Sequence, residues 1–250
     1  MNGSILTVTG LSKSFRGLRV INGISFQLQP GTVTSIIGPN GAGKSTIFNL
    51  ITGFLRLDAG DVVFEGSSLT ALPTYKISRL GIARAFQISK PFPQMTVFDN
   101  VMAAALFGRA GERDPTKVAT DAIERCGLLA VANATADTLT VGDQRRLELA
   151  RALATRPRLL LADEPCAGLN ATETKDVIAV INTLRSSGIT VLLVEHDMKT
   201  VMSVSDRVLA LEAGKLIAEG TPVDVASDPG VIQAYLGVPL ERSYFEERPQ

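Results

Sequence analysis

The run Thr32-Val33-Thr34-Ser35-Ile36-Ile37-Gly38-Pro39-Asn40-Gly41-Ala42-Gly43-Lys44-Ser45 joins a short β-branched stretch to a glycine-rich turn. Residues 38–45 match the pattern G-x-x-x-x-G-K-[ST]. Thr32–Ile37 suits a buried parallel strand, and Lys44–Thr52 carries a helical pattern that stops at Gly53. In that context, successive backbone N–H groups and the helix N-terminus form a cradle for the α- and β-phosphates of a nucleotide. Lys44 reaches the β- and γ-phosphates, and the Ser45 hydroxyl is a ligand for Mg²⁺.

Outward from this loop, strands and helices alternate. Ile5–Val8 and Val20–Leu28 read as strands, followed by Asp61–Phe64 and Ile82–Phe86. Asp143–Thr155 is helical, Leu159–Asp163 is a buried strand, and Thr172–Arg185, Ile189–Val194 and Met198–Ser205 continue as helix, strand and helix. Val208–Leu211 and Leu216–Glu219 flank Gly214 as a hairpin, and Val231–Leu236 is a short last helix. Alternation of this kind predicts an α/β fold with a mostly parallel sheet covered on both faces. Residues 96–129 hold helices only, over Val97–Phe107 and Pro115–Cys126, and read as a helical subdomain inserted into the α/β core.

The 250 residues are 45% hydrophobic and 20% charged, enough for a sizeable core and unlike a disordered or collagen-like chain. Lys+Arg and Asp+Glu are 25 each, so bulk charge makes no case for duplex nucleic acid. Aromatics are 5% and Trp is absent, which argues against binding by base stacking. Cys126 and Cys166 make neither a disulfide framework nor a zinc site. No signal peptide is visible before Gly31, and no apolar run approaches the roughly 18 residues that a membrane-spanning helix needs. Membrane association is therefore expected through a partner.

Further residues carry chemistry. Leu159–Glu164 is an apolar strand ending in two acids. Asp163 is placed for the Mg²⁺ contact, and Glu164 for the general base that activates water. His196, the single histidine, follows the strand Ile189–Val194 and can reach the γ-phosphate from the same rim of the sheet. Gln87, after Ile82–Phe86, can contact Mg²⁺ or the attacking water. Leu139-Thr140-Val141-Gly142-Asp143 runs into a helix and makes a second anion site, explained if it serves a nucleotide held by another copy. The plainer reading of Thr140-x-x-Asp143 is a capping box.

Taken together, these motifs resemble the ATP-binding subunits of ABC transporters, in order from about Leu6 to Gly237. Gly38–Ser45 is similar to Walker A, with Thr46 beside it, Gln87 to the Q-loop, Leu139–Asp143 to the signature motif and Leu159–Glu164 to Walker B. Ala167–Asn170 resembles the D-loop and His196 the switch histidine, while Phe15 falls where the family places an aromatic against adenine. Gln144–Glu148, Ala167–Asn170, Glu195–Lys199 and Ile232–Gly237 resemble the ATPases of branched-chain amino acid importers. Asn170 points to the longer of the two ATPases of that importer type. Val141 and Asp143 depart from the usual Leu-Ser-Gly-Gly-Gln signature, and Arg16 stands where this type often has Gly.

The resemblance implies a P-loop ATPase with an N-terminal antiparallel β subdomain. It implies one domain over residues 5–237, the helical subdomain at 96–142 and a tail at 238–250. ATP and Mg²⁺ are the implied ligands, with Phe15, the 38–46 loop, Thr140 and Gly142 around the nucleotide. Ser45, Gln87 and Asp163 are the implied metal contacts, and Glu164, His196, Gln87 and Lys44 the catalytic set. The implied partners are a second, non-identical ATPase in a head-to-tail dimer, two membrane permeases and, indirectly, a periplasmic solute-binding protein, at the cytoplasmic face of the inner membrane. Nucleic acid is not an expected partner. Two alternatives stay open at this point: an importer ATPase for urea, amides or another small polar solute, and a soluble ABC-type ATPase acting on DNA or ribosomes.

Overall fold

The computed structural model describes residues 3–86, 90–108 and 114–236. Its main sheet has six strands in the order β10-β9-β3-β8-β7-β6. These are β3 (Val33–Ile37), β6 (Ile82–Ala85), β7 (Leu159–Asp163), β8 (Thr190–Val194), β9 (Arg207–Glu212) and β10 (Lys215–Gly220). All neighbours pair in parallel except β9 and β10, which form the antiparallel hairpin at one edge. The three central strands β3, β7 and β8 are buried at every position, as their unbroken apolar runs require.

A second sheet has the order β2-β1-β4-β5, all antiparallel: β1 (Leu6–Phe15), β2 (Leu18–Leu28), β4 (Ala59–Phe64) and β5 (Ser67–Ser68). β1 and β2 run beyond the predicted 5–8 and 20–28. Register shifts between Val8 and Leu11, and again around Lys13, reverse the inward-facing parity. Alternation, the signal that marks a strand, is lost across such bulges.

The main sheet divides the core in two. Leu160 and Ala162 face one cluster with Val191, Leu193 and the apolar sides of α3 (Val97–Phe107), α4 (Pro115–Arg125), α5 (Val141–Ala154) and α6 (Ala171–Ser186). Leu159 and Leu161 point the other way, to a cluster with α1 (Lys44–Ile51) and the antiparallel sheet. In α1, Ile47, Phe48 and Ile51 are fully buried. Each contributes at most about 1.5–3 kcal/mol, which holds α1 against the sheet. A third, smaller cluster joins Ile37 and Ala210 to Val201 of α7 (Met198–Val204), Val225 of α8 (Pro222–Ala226) and Val231 of α9 (Pro229–Leu236).

Two short helices were not predicted. α2 (Thr74–Leu80) buries only Ile77 and α8 buries only Val225, so neither is long enough to display a 3.6-residue period. A third difference matters for function. α5 begins at Val141 rather than Asp143, because Thr140 is its N-cap, and Gly142 and Asp143 therefore lie in its first turn.

Candidate active site

Parallel pairing brings four motif strands to one rim. β3 lies beside β8, β8 beside β7 and β7 beside β6, with Ile36 opposite Val194, Val194 opposite Asp163 and Ala162 opposite Ala85. Strand ends in register place the segments after Ile37, Asp163 and Val194 side by side. Gln87 lies outside the described residues, although its strand β6 ends at the same rim.

The phosphate loop owes its shape to glycine. Gly38, Gly41 and Gly43 have φ of 152°, 83° and 103°. A Cβ on Gly38 would meet the Leu211 carbonyl oxygen at 2.3 Å, and one on Gly43 would meet Ile21 Cδ1 at 2.5 Å. Lys44 is buried, and its Nζ donates to the carbonyls of Gly38 at 2.6 Å and Pro39 at 3.1 Å. Burial pushes its pKa down, opposed by the charges of Glu164 and Asp163. The N-terminus of α1 is capped by Gly43 with no side-chain bond and no acid in the first turn. By contrast, α3, α4, α5, α6, α7 and α8 all begin under a Thr, Asp or Asn side chain. The phosphate-loop helix thus keeps its first N–H groups for an external anion.

Asp163 is buried, and its Oδ2 forms a 2.6 Å ion pair with the guanidinium of Arg84, which also donates to Asn49 Oδ1 at 2.6 Å. Asp163 Oδ1 and the exposed Ser45 hydroxyl have no hydrogen bond among the described residues. One carboxylate oxygen and one hydroxyl beside a phosphate cradle suit Mg²⁺, which takes few protein ligands and completes its shell with phosphate and water. No group of three His, Cys, Asp or Glu side chains that could hold a metal occurs among the described residues.

Glu164 has φ of 48°, the left-handed region, and donates its backbone N–H to Val194 O at 2.9 Å. The left-handed backbone at Glu164 follows directly on the end of β7 at Asp163. Its Oε2 lies 4.0 Å from Nδ1 of His196, whose imidazole is 59% exposed and therefore reachable by a ligand. Glu195, the residue before His196, is almost fully buried and bridges two loops. Its Oε1 accepts from Cys166 N at 2.9 Å and its Oε2 from His196 N at 3.3 Å. Burial raises its pKa, countered by those N–H bonds. Arg84 and Glu195 are the two site residues that sequence reasoning missed. A charged residue inside a four-residue strand was the available signal for Arg84.

Phe15 ends β1 with its ring 39% exposed and Lys13 Nζ 5.6 Å from the ring centroid. Thr140 and Gly142 form the N-cap and first turn of α5. Thr140 Oγ1 accepts from Asp143 N at 3.1 Å and donates to Asp143 Oδ2 at 2.8 Å, while Asp143 Oδ1 pairs with Arg146 at 2.6 Å. The expected capping-box partner of Asp143 is therefore replaced. The carboxylate folds onto the helix as anticipated, but it meets the Thr140 hydroxyl and Arg146 instead of the Thr140 N–H. A Cβ on Gly142 would lie 2.9 Å from Cγ of the Glu173 side chain, so α5 approaches α6 closely there.

A phosphate loop, an acid pair and a histidine on adjacent parallel strands define a P-loop nucleotide triphosphatase. The ABC transporter family profile matches residues 21–167, and that of the branched-chain amino acid ATP-binding cassette transporter matches residues 215–240. The chain belongs to the ABC transporter family and is one of its ATPases. It is 44% identical to the high-affinity branched-chain amino acid transport ATP-binding protein BraF of Pseudomonas aeruginosa, over 95% of this chain and 99% of that one. Identity to LivG of Escherichia coli, a protein of the same description, is 42% over the same shares. The structure superposes on the ADP conformation of MJ1267, an ATP-binding cassette of an ABC transporter, with TM-score 0.87 and 32% identity, over 94% of this chain and all of the other. A nucleotide-free cassette aligns with TM-score 0.85 and 31% identity over the same shares.

Proposed function

We propose that this chain hydrolyses ATP to drive an importer of branched-chain or other small amino acids. The observation that carries the reading is the shared rim of Lys44, Asp163, Glu164 and His196, in a chain so similar to two branched-chain amino acid transport ATP-binding proteins. Residues 5–237 act as one ATPase domain, 96–142 as its helical subdomain, and 238–250, outside the described residues, as a tail. Among the described residues no helix is long and apolar enough to cross a membrane. The chain then works at the cytoplasmic face of the inner membrane, bound to two permeases and a second, non-identical ATPase, with a periplasmic solute-binding protein delivering cargo.

In the proposed mechanism, Phe15 packs on adenine and the N–H groups of residues 38–46 hold the phosphates. Lys44 offsets charge on the β- and γ-phosphates. Ser45, Asp163 and Gln87 are the residues that would hold Mg²⁺, which when bound neutralises phosphate charge. Glu164 takes the proton of the attacking water, and His196 orients the γ-phosphate. In the head-to-tail dimer, Thr140 and Gly142 of this chain close over the γ-phosphate held by the partner ATPase. Uptake of radiolabelled leucine into proteoliposomes holding the permeases, both ATPases and the binding protein tests this reading. ATP-dependent uptake supports it, and uptake of urea or an amide in place of leucine would overturn the cargo.

The permease is proposed to dock beside Phe92. Asn100 clasps the Phe92 backbone, accepting its N–H at 2.8 Å and donating to its carbonyl at 3.0 Å. The ring is 48% exposed with the Arg151 guanidinium 5.5 Å away, a rigid half-buried anchor. Phe92→Ala is expected to bind ATP like wild type and to lose co-purification with the permeases. Full co-purification would remove Phe92 from the interface.

Asp143 bears on the dimer. At roughly 7 Å and an effective dielectric near 20, a carboxylate facing the partner's phosphate would be repelled by about 2.4 kcal/mol. Folded onto Thr140 and Arg146, it avoids that cost. Asp143→Gln is therefore expected to change ATP-dependent association by less than threefold, equally in low and high salt. A tenfold tightening that fades with salt would show the carboxylate facing phosphate.

A further inference from the structure

Tyr235, near the end of α9, reaches across the fold to the phosphate loop. Its hydroxyl oxygen accepts the backbone N–H of Gly38 at 2.6 Å, across 197 positions of chain. Gly38 is confined on its other sides. Its missing side chain leaves the room taken by the Leu211 carbonyl and the Ala42 methyl, and its own carbonyl accepts from Lys44 Nζ. Two hydrogen bonds through one residue thus join α9 to the phosphate-loop lysine.

The helix that carries Tyr235 belongs to the same apolar cluster as the site's supports. Val231 is buried in the small cluster with Ile37, the residue before Gly38, and with Val201 of α7, the helix that follows His196. Met198 and Tyr235 pack against the same cluster. α9 therefore shares one apolar cluster with the strand that precedes the phosphate loop and with the helix that follows the histidine. Tyr235 is partly buried, and burial raises the pKa of its hydroxyl. None of the phosphate-facing N–H groups belongs to α9, so its contribution is to hold them in place.

We propose that Tyr235 is a positioning residue for the phosphate loop, through which the C-terminal helix sets nucleotide affinity. The N–H of Gly38 is a buried donor, and without the hydroxyl it is left unpaired. The loop must then shift to reach water, moving the carbonyl that Lys44 uses. The inference rests on the phosphate-loop reading of residues 38–45.

The test is Tyr235→Phe in the full chain, which keeps the ring packing and removes the oxygen. Fluorescent ADP and ATP binding would be measured with thermal melting and amide exchange. Nucleotide affinity is expected to weaken about three- to tenfold, the fold-change that one lost net hydrogen bond produces. The kinetic loss is expected to fall on KM rather than kcat, as loss of uniform binding does. Exchange of the Gly38 amide in nucleotide-free protein is expected to quicken at least tenfold. Affinity within twofold of wild type and unchanged Gly38 exchange, at a temperature where melting shows the variant folded, would overturn the proposal. If Tyr235→Phe does not fold, Val231→Ala, which loosens α9 and retains the hydroxyl, must reproduce the faster exchange and weaker binding, and its failure to do so overturns the proposal equally. A wild-type chain that binds no nucleotide would instead refute the phosphate-loop reading itself.

Discussion

Glu164→Gln is expected to bind MgATP with near wild-type affinity and to hydrolyse it about 10²–10⁴-fold more slowly, the usual worth of general base catalysis. The backbone supports a clean substitution. The left-handed turn at Glu164 is set by its N–H bond to Val194 O, which Gln retains. Gln also preserves side-chain size, so the loss reports the missing proton acceptor rather than a moved loop. His196, 4.0 Å away, could in principle take the proton instead. Single-turnover hydrolysis in the assembled transporter separates the two. A Glu164→Gln variant within tenfold of wild type would hand the base role to another group, with His196→Ala the next variant to measure.

Arg84→Met is expected to lower stability by about 3–5 kcal/mol, because it strands the Asp163 carboxylate without its cation. Both side chains are nearly dry, at 9% and 5% exposure, so water cannot replace the guanidinium. Arg84 also donates to Asn49 of α1, and its guanidinium carbon lies 4.7 Å from the Phe86 ring centroid and 5.6 Å from that of Phe48. One side chain thus ties the strand before Gln87, the acid at the end of β7 and the phosphate-loop helix together. For a chain of this size the loss corresponds to a fall in Tm of about 6–20 °C. The double variant Arg84→Met with Asp163→Asn is expected to recover more than half of it, since no buried charge is then unpaired. Strictly additive losses in the double variant would show that Arg84 stabilises by packing alone.

Much of this could be read along the chain because parallel strands are local statements. Residues 33–37, 159–163 and 190–194 are buried on both faces, so each is an apolar run that no tertiary detail obscures. The phosphate loop is legible for the same reason: its glycines answer backbone angles set within eight residues. β1 was harder, since its bulges exchange the faces partway along and erase the alternation. α2 and α8 were harder still, each being held by a single buried side chain.

By itself the sequence determined the chemistry available: a loop for phosphates, an acid pair, one histidine, and the strands that carry them. Tertiary structure alone decided which groups are already engaged. Asp163 is held by Arg84 from a strand 79 positions away, Cys166 N by Glu195 from 29 positions away, and Gly38 N by Tyr235 from 197. Each of these bonds exists because parallel pairing and the packing of α9 bring together chain segments with no sequence relation. A hydrogen bond depends on distance and direction in space, and neither is written in the spacing of residues along a chain.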